Sequence, residues 1–135
     1  MKRILLFSDS HGDKLSVSKL INSKIDDYDK IVFAGDGADD ITDYIYAYPQ
    51  KIVAVKGNCD YSSDLSDFAT ITYHNAKILV THGNRYLVKY GTDSLLSEAI
   101  CGGYNAVLYG HTHRAKVDYV NGIAMINGGA LYSKG

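Results

Sequence analysis

No tryptophan occurs in this chain of 135 residues, proline occurs once and cysteine twice. Each shortage excludes something. The lone Pro49 marks no proline-rich linker. Cys59 and Cys101 are too few for the disulfide framework on which small secreted domains depend. Charge of neither sign dominates, since 14 Lys and Arg stand against 15 Asp and Glu, a formal net charge of −1. That balance leaves no broad basic footprint, and nucleic acid is not expected as a partner. Long hydrophobic runs are missing as well. No segment reaches the length needed to span a bilayer, so no membrane partner is expected either. The opening MKRILLFSDSH has an apolar stretch, Ile4 to Phe7, too short for the central region of a secretory signal. Repeats and low-complexity tracts are absent. What remains is the expectation of a cytoplasmic protein, a single domain over residues 1–135 with enough chain to bury a core.

What the chain does have is a series of short apolar runs that end alike. Arg3 to Phe7 (RILLF) leads into SDSHGD, and Lys30 to Ala34 (KIVFA) into GDGADD. Lys51 to Val55 (KIVAV) leads into KGNCD, Lys77 to Val80 (KILV) into THGN, and Asn105 to Tyr109 (NAVLY) into GHTH. Runs of this length, apolar on both faces, suit buried strands. Each delivers Asp, Asn or His at its carboxyl end.

Helical patterns lie between them. Asp13 to Ile25 places Leu15, Leu20, Ile21 and Ile25 near one face. Ala38 to Tyr48 spaces Ile41, Tyr44, Ile45 and Tyr48 likewise, with Pro49 as a stop and Asp39 and Asp40 favouring the helix N-terminus. Thr92 to Ile100 reads as a third helix, closed by Gly102-Gly103. Hairpins are expected at His74-Asn75 and at Asn121-Gly122. Alternating strands and helices followed by hairpins indicate an α/β sheet of mixed direction. Cys101 is expected in the core near a helix end.

In such sheets ligands bind at the carboxyl ends of the strands. Those ends carry Asp9, His11, Asp36, Asn58, His82, His111 and His113. Singly, each has an ordinary explanation. Asp9 and His11 could be polar turn residues, Asp36 could cap a helix, Asn58 could sit in a turn and His82 could be a satisfied core histidine. Five such coincidences in order, all at strand ends, argue for convergence on metal. The seven donors exceed what one structural zinc requires, and no thiolate pair accompanies them. Carboxylate, imidazole and amide together suit manganese, and also iron, zinc or nickel. The donors divide between two ions with one carboxylate shared, a common device for hydrolysing phosphate esters.

The motifs DSH, GD, GNCD, THG and GHTH, in this order, resemble those of the calcineurin-like metallophosphoesterase superfamily, in particular its compact bacterial and archaeal phosphodiesterase branch. The resemblance implies a fold of two mixed β-sheets packed as a sandwich and flanked by helices. It implies one ion held by Asp9, His11, Asp36 and His113, and a second held by Asp36, Asn58, His82 and His111. Asp36 would bridge them, together with a water or hydroxide that attacks phosphorus. Asp36, Asn58 and His82 are accordingly the expected catalytic residues, and a small phosphate ester the expected substrate. Two departures stand out. Many superfamily members carry His where this chain has Cys59, and a thiol with pKa near ~8.5 is a poor substitute for an imidazolium acid. The branch also continues into further strand where this sequence stops at Gly135, so the family's terminal strand is not expected here and a sheet edge is left open. A homodimer through such an edge is one expectation. Asp60 is a candidate for orienting a neighbouring ligand, and Arg114 for contacting phosphate. Tyr61 is weighed for the substrate pocket, while His74 is read as surface. A eukaryotic retromer subunit resembles this fold and serves as an interaction surface, so a weak or inactive protein-binding scaffold is the alternative to a phosphoesterase. Larger relatives cut DNA, but this chain has no basic stripe to support that role.

Overall fold

The computed structural model describes residues 4–10, 14–58, 60, 65–73, 76–83, 93–112 and 116–128. Along the chain these form β1 (Ile4–Phe7), α1 (Lys14–Lys24), β2 (Lys30–Phe33), α2 (Ala38–Ala47), β3 (Ile52–Ala54), β4 (Phe68–Tyr73), β5 (Ala76–Thr81), α3 (Asp93–Gly102), β6 (Ala106–Tyr109), β7 (Lys116–Val120) and β8 (Ile123–Asn127). The apolar runs read from the sequence become β1, β2, β3, β5 and β6, with ends shifted by a residue or two.

The strands form two sheets. β1, β2 and β3 pair in that order, all parallel, with Leu5 beside Ile31 and Phe7 beside Phe33. The second sheet runs β4-β5-β6-β8-β7. Its three inner strands are parallel, and β4 and β7 are antiparallel edges. Mixed direction, expected for both sheets, is thus confined to the larger one. Helices connect three of the parallel pairs, α1 between β1 and β2, α2 between β2 and β3 and α3 between β5 and β6, while β7 lies between β6 and β8.

Alternation of side chains along each strand builds the layers. In β2, Ile31 and Phe33 pack against Val17 and Ile21 of α1 and Ile41 of α2, whereas Val32 packs against the second sheet. In β6, Val107 and Tyr109 pack against Leu95 and Ala99 of α3, whereas Leu108 points to the first sheet. The result is helices, sheet, sheet, helix, with Val32, Val55, Ile71, Val80 and Leu108 filling the space between the sheets. Each such side chain contributes about 1.5–3 kcal/mol by leaving water. No helix among the described residues is long and apolar enough to cross a membrane.

Two residues differ from expectation. Leu15 is 66 % exposed, and Val17 takes the inward place instead. At 100° per residue the buried stripe runs through Val17, Leu20 and Ile21, and Leu15 falls about 160° from Val17. Cys101 is exposed rather than in the core, because the inward face of α3 is the one that carries Leu95 and Ala99. The hairpin between β7 and β8 turns at Asn121 and Gly122, both left-handed (φ 53° and 78°), as a two-residue turn of this type requires. Tyr73 pairs with Ala76, and the expected turn at His74-Asn75 lies between them, outside the described residues.

Candidate metal centre

The carboxyl ends of β1, β2, β5 and β6 meet along one rim of the sandwich. Beyond the strands the turns remain tied by main-chain bonds. The Asp9 N–H donates to the Gly35 carbonyl at 2.8 Å, and the Gly110 N–H to the His82 carbonyl at 3.1 Å. The first bond sets the β1 turn beside the β2 turn, and the second sets the β5 turn beside the β6 turn. Asp9, Asp36 and His111 are all left-handed, at φ 57°, 63° and 74°. Such backbone is uncommon outside glycine and costs about 1–2 kcal/mol per residue. Strain of this kind gathers at functional sites.

The side chains converge accordingly. Asp9, Asp36 and His82 are buried and His111 is half-buried. His82 Nε2 lies 3.2 Å from Asp36 Oδ2, 3.7 Å from Asp9 Oδ1 and 3.1 Å from His111 Nδ1. On its other side, His82 Nδ1 lies 2.7 Å from the Ala34 carbonyl oxygen. A carbonyl only accepts, so Nδ1 carries a proton and Nε2 is the nitrogen that faces the cluster. One proton on Nε2 cannot serve two carboxylates and a second imidazole at once, whereas a cation can. A tetrahedral ion with bonds of about 2.1 Å has ligand separations of about 3.4 Å, within the range seen here. One ligand atom each from Asp36, His82 and His111 falls within 4.8 Å of the others. The donor set fits a divalent metal.

Neighbours hold these donors. Ser8 Oγ and the His111 N–H both donate to Asp9 Oδ2. Asn127 Nδ2 donates to the Gly110 carbonyl at 3.2 Å and to Thr112 Oγ1 at 2.8 Å, which braces the turn carrying His111. Ser10 Oγ donates to the buried Asp40 at 2.6 Å. Asp60 accepts four backbone N–H bonds, from Asp36 and Gly57 at 2.8 Å and from Gly37 and Ala38 at 2.9 Å. These bonds tie Asp60 to the main chain of Asp36 and to Gly57, the residue before Asn58. Asn58 follows Gly57 where the chain passes over Asp36, and it is exposed. His11, His113, Cys59, Tyr61, His74 and Arg114 lie outside the described residues.

A family model described as "Calcineurin-like phosphoesterase superfamily domain" matches residues 1–134. The chain belongs to the calcineurin-like phosphoesterase superfamily. It is thereby a metallophosphoesterase, a phosphoric ester hydrolase by class. A curated superfamily member, "Probable metallophosphoesterase YsnB" of Bacillus subtilis strain 168, is 30% identical over 128 residues, covering 95% of this chain and 74% of the relative. The solved structure of a Streptococcus pneumoniae TIGR4 protein, described as a predicted phosphoesterase, superposes with a TM-score of 0.85 at 25% identity, over 97% of this chain and 74% of that one. Vacuolar Protein Sorting 29 from Cryptosporidium parvum shares the fold, with a TM-score of 0.79 at 20% identity over 96% and 74% of the two chains.

The pH behaviour of this phosphoesterase follows from His82. Burial pulls its pKa down, but the Asp36 hydrogen bond, the charges of Asp36 and Asp9 and the Ala34 carbonyl outweigh burial and hold it above the usual 6.5. The folded, metal-free protein thus binds this proton more tightly than the unfolded chain. The resulting stability is full below pH 6.5 and is lost as pH rises through the raised pKa. Thermal denaturation in EDTA should show this decline, and His82→Gln should flatten it. Metal competes with the same proton, so Mn²⁺ affinity is expected to climb with pH over that window.

Proposed function

We propose that the chain is a phosphodiesterase, one domain over residues 1–135, acting on small or exposed phosphate diesters with two divalent ions, manganese foremost. The convergence of Asp9, Asp36, His82 and His111 at the strand ends carries this reading. Asp9, His11, Asp36 and His113 would hold one ion, and Asp36, Asn58, His82 and His111 the other. Ions held there would supply a hydroxide nucleophile at neutral pH by lowering the pKa of water, and would neutralise the phosphate oxygens. The protein's own contribution is to orient. The Ala34 carbonyl fixes the tautomer of His82, Ser8 and the His111 N–H fix one oxygen of Asp9, and Asp60 holds the turn that carries Asp36. Arg114 is assigned to the substrate phosphate.

The test is hydrolysis of bis-p-nitrophenyl phosphate by metal-stripped protein given back Mn²⁺, with His82→Ala as control. Turnover that needs Mn²⁺ and disappears in the control supports the reading. Two ions bound without turnover would favour a protein-binding scaffold, the reading that the fold shared with Vacuolar Protein Sorting 29 keeps in view. No Mn²⁺ bound at all would overturn both the metal site and the activity.

Cys59 leads to a further expectation. Without an imidazolium acid there, the rate should fall steeply as the leaving group worsens. Comparing p-nitrophenyl with phenyl and alkyl diesters measures the slope, and Cys59→His should make it shallower.

A further inference from the structure

Three left-handed residues in succession, Gly35 (φ 102°), Asp36 (φ 63°) and Gly37 (φ 146°), turn the chain from β2 into α2. The N–H groups of Asp36, Gly37 and Ala38 then point at one spot, and the Asp60 carboxylate occupies it. A fourth N–H, from Gly57, donates to the same carboxylate. Successive N–H groups in a turn form a concavity suited to an anion, and the start of a helix adds partial positive charge. In this fold the anion comes from the chain itself, 24 residues beyond Asp36. The helix gains by it too, because Gly37 at its N-cap makes no side-chain cap of its own.

We infer that Asp60 is a positioning residue that holds the 35–38 turn in its left-handed form and so delivers the Asp36 carboxylate to His82. The inference rests on the metal site proposed at Asp36. Asp60 acts through the backbone of Asp36 and through Gly57, the residue before Asn58. A carboxylate is required, because each oxygen takes two N–H bonds. Oδ2 serves Asp36 and Gly57, and Oδ1 serves Gly37 and Ala38. Asn would keep one oxygen and turn its NH₂ against two other donors. Ala would leave the concavity empty and open to a small carboxylate.

Two measurements on the full chain test this. The first is backbone amide exchange in the metal-stripped protein. In Asp60→Asn and Asp60→Ala, the amides of Asp36, Gly37 and Ala38 should exchange at least about tenfold faster, while those of β2 and β6 hold their rates. Formate should slow the exchange again in Asp60→Ala but not in Asp60→Asn, a pattern that general destabilisation does not produce. The second is Mn²⁺ titration calorimetry, where both variants should bind roughly 10–100-fold more weakly, with formate restoring affinity in Asp60→Ala alone. Unchanged exchange at the three amides, a rise shared equally with β2 and β6, absent formate rescue, or wild-type Mn²⁺ affinity in both variants overturns the inference. If the wild-type protein binds no Mn²⁺, the metal reading of Asp36 falls, and the exchange data alone decide whether Asp60 holds the turn.

Discussion

Asp36→Asn is expected to lower Mn²⁺-dependent hydrolysis of bis-p-nitrophenyl phosphate by about a thousandfold, roughly 4 kcal/mol of barrier, while the protein stays folded. Asp36 is 2 % exposed and left-handed, with its Oδ2 against His82 Nε2. Asn has the same shape and tolerates the same backbone, so the turn can survive. The exchange removes one negative charge and leaves a single acceptor oxygen in place of two. If two ions share this carboxylate, both lose a charged ligand and at most one oxygen remains for them, and the loss should appear in Mn²⁺ affinity as well as in kcat. Calorimetry on wild type and variant separates these contributions, and thermal denaturation in EDTA checks the fold. Activity within tenfold of wild type would mean that Asp36 is not the shared ligand.

Gly57→Ala should do comparable harm by a steric route. A Cβ there would lie 2.2 Å from Asp36 Oδ1 and 2.6 Å from Asp36 N. The second atom is backbone, in a turn already held by the Asp60 carboxylate, so it cannot yield by rotating a side chain. Either the 57–60 loop lifts or the Asp36 carboxylate shifts. Overpacking of this sort costs about 1–3 kcal/mol of stability. A displacement near 1 Å of a group in the site can cost about a hundredfold in rate. Chemical denaturation and steady-state kinetics on the variant measure both. A fully active, fully stable Gly57→Ala would show that the two loops do not meet as described.

The strands and their polar ends were legible because a buried parallel strand must be apolar on both faces, so the first Asp or His after it marks where it leaves the core. That rule located Asp9, Asp36, His82 and His111 before any geometry was known. Helix faces were less legible. Leu15 is apolar like its neighbours, and only the phase fixed by Val17 and Ile21 shows that it points to solvent. Cys101 misled for a related reason, since its residue type favours burial and its position on α3 does not. The left-handed turns at Asp9, Asp36 and His111 have only a weak local signature, in Asp and His as residue types that tolerate positive φ and in the neighbouring Gly35, Gly37 and Gly110. Asn127 was overlooked, although a signal existed. It continues the inward series Ile123, Met125, and a polar residue in such a series must find partners, here Gly110 and Thr112.

The two sheets bring different chemistry to the rim. Among the described donors, the three-stranded sheet supplies the carboxylates, Asp9 after β1 and Asp36 after β2, and the five-stranded sheet supplies the imidazoles, His82 after β5 and His111 after β6. Among the described donors each sheet brings two, and both ligand sets proposed above draw on both sheets. The centre is therefore a seam, stitched only when both halves have docked. An ion bound across it would recognise the fully assembled molecule and no partly folded form, so loading with metal would act as a rivet whose strength grows with metal concentration.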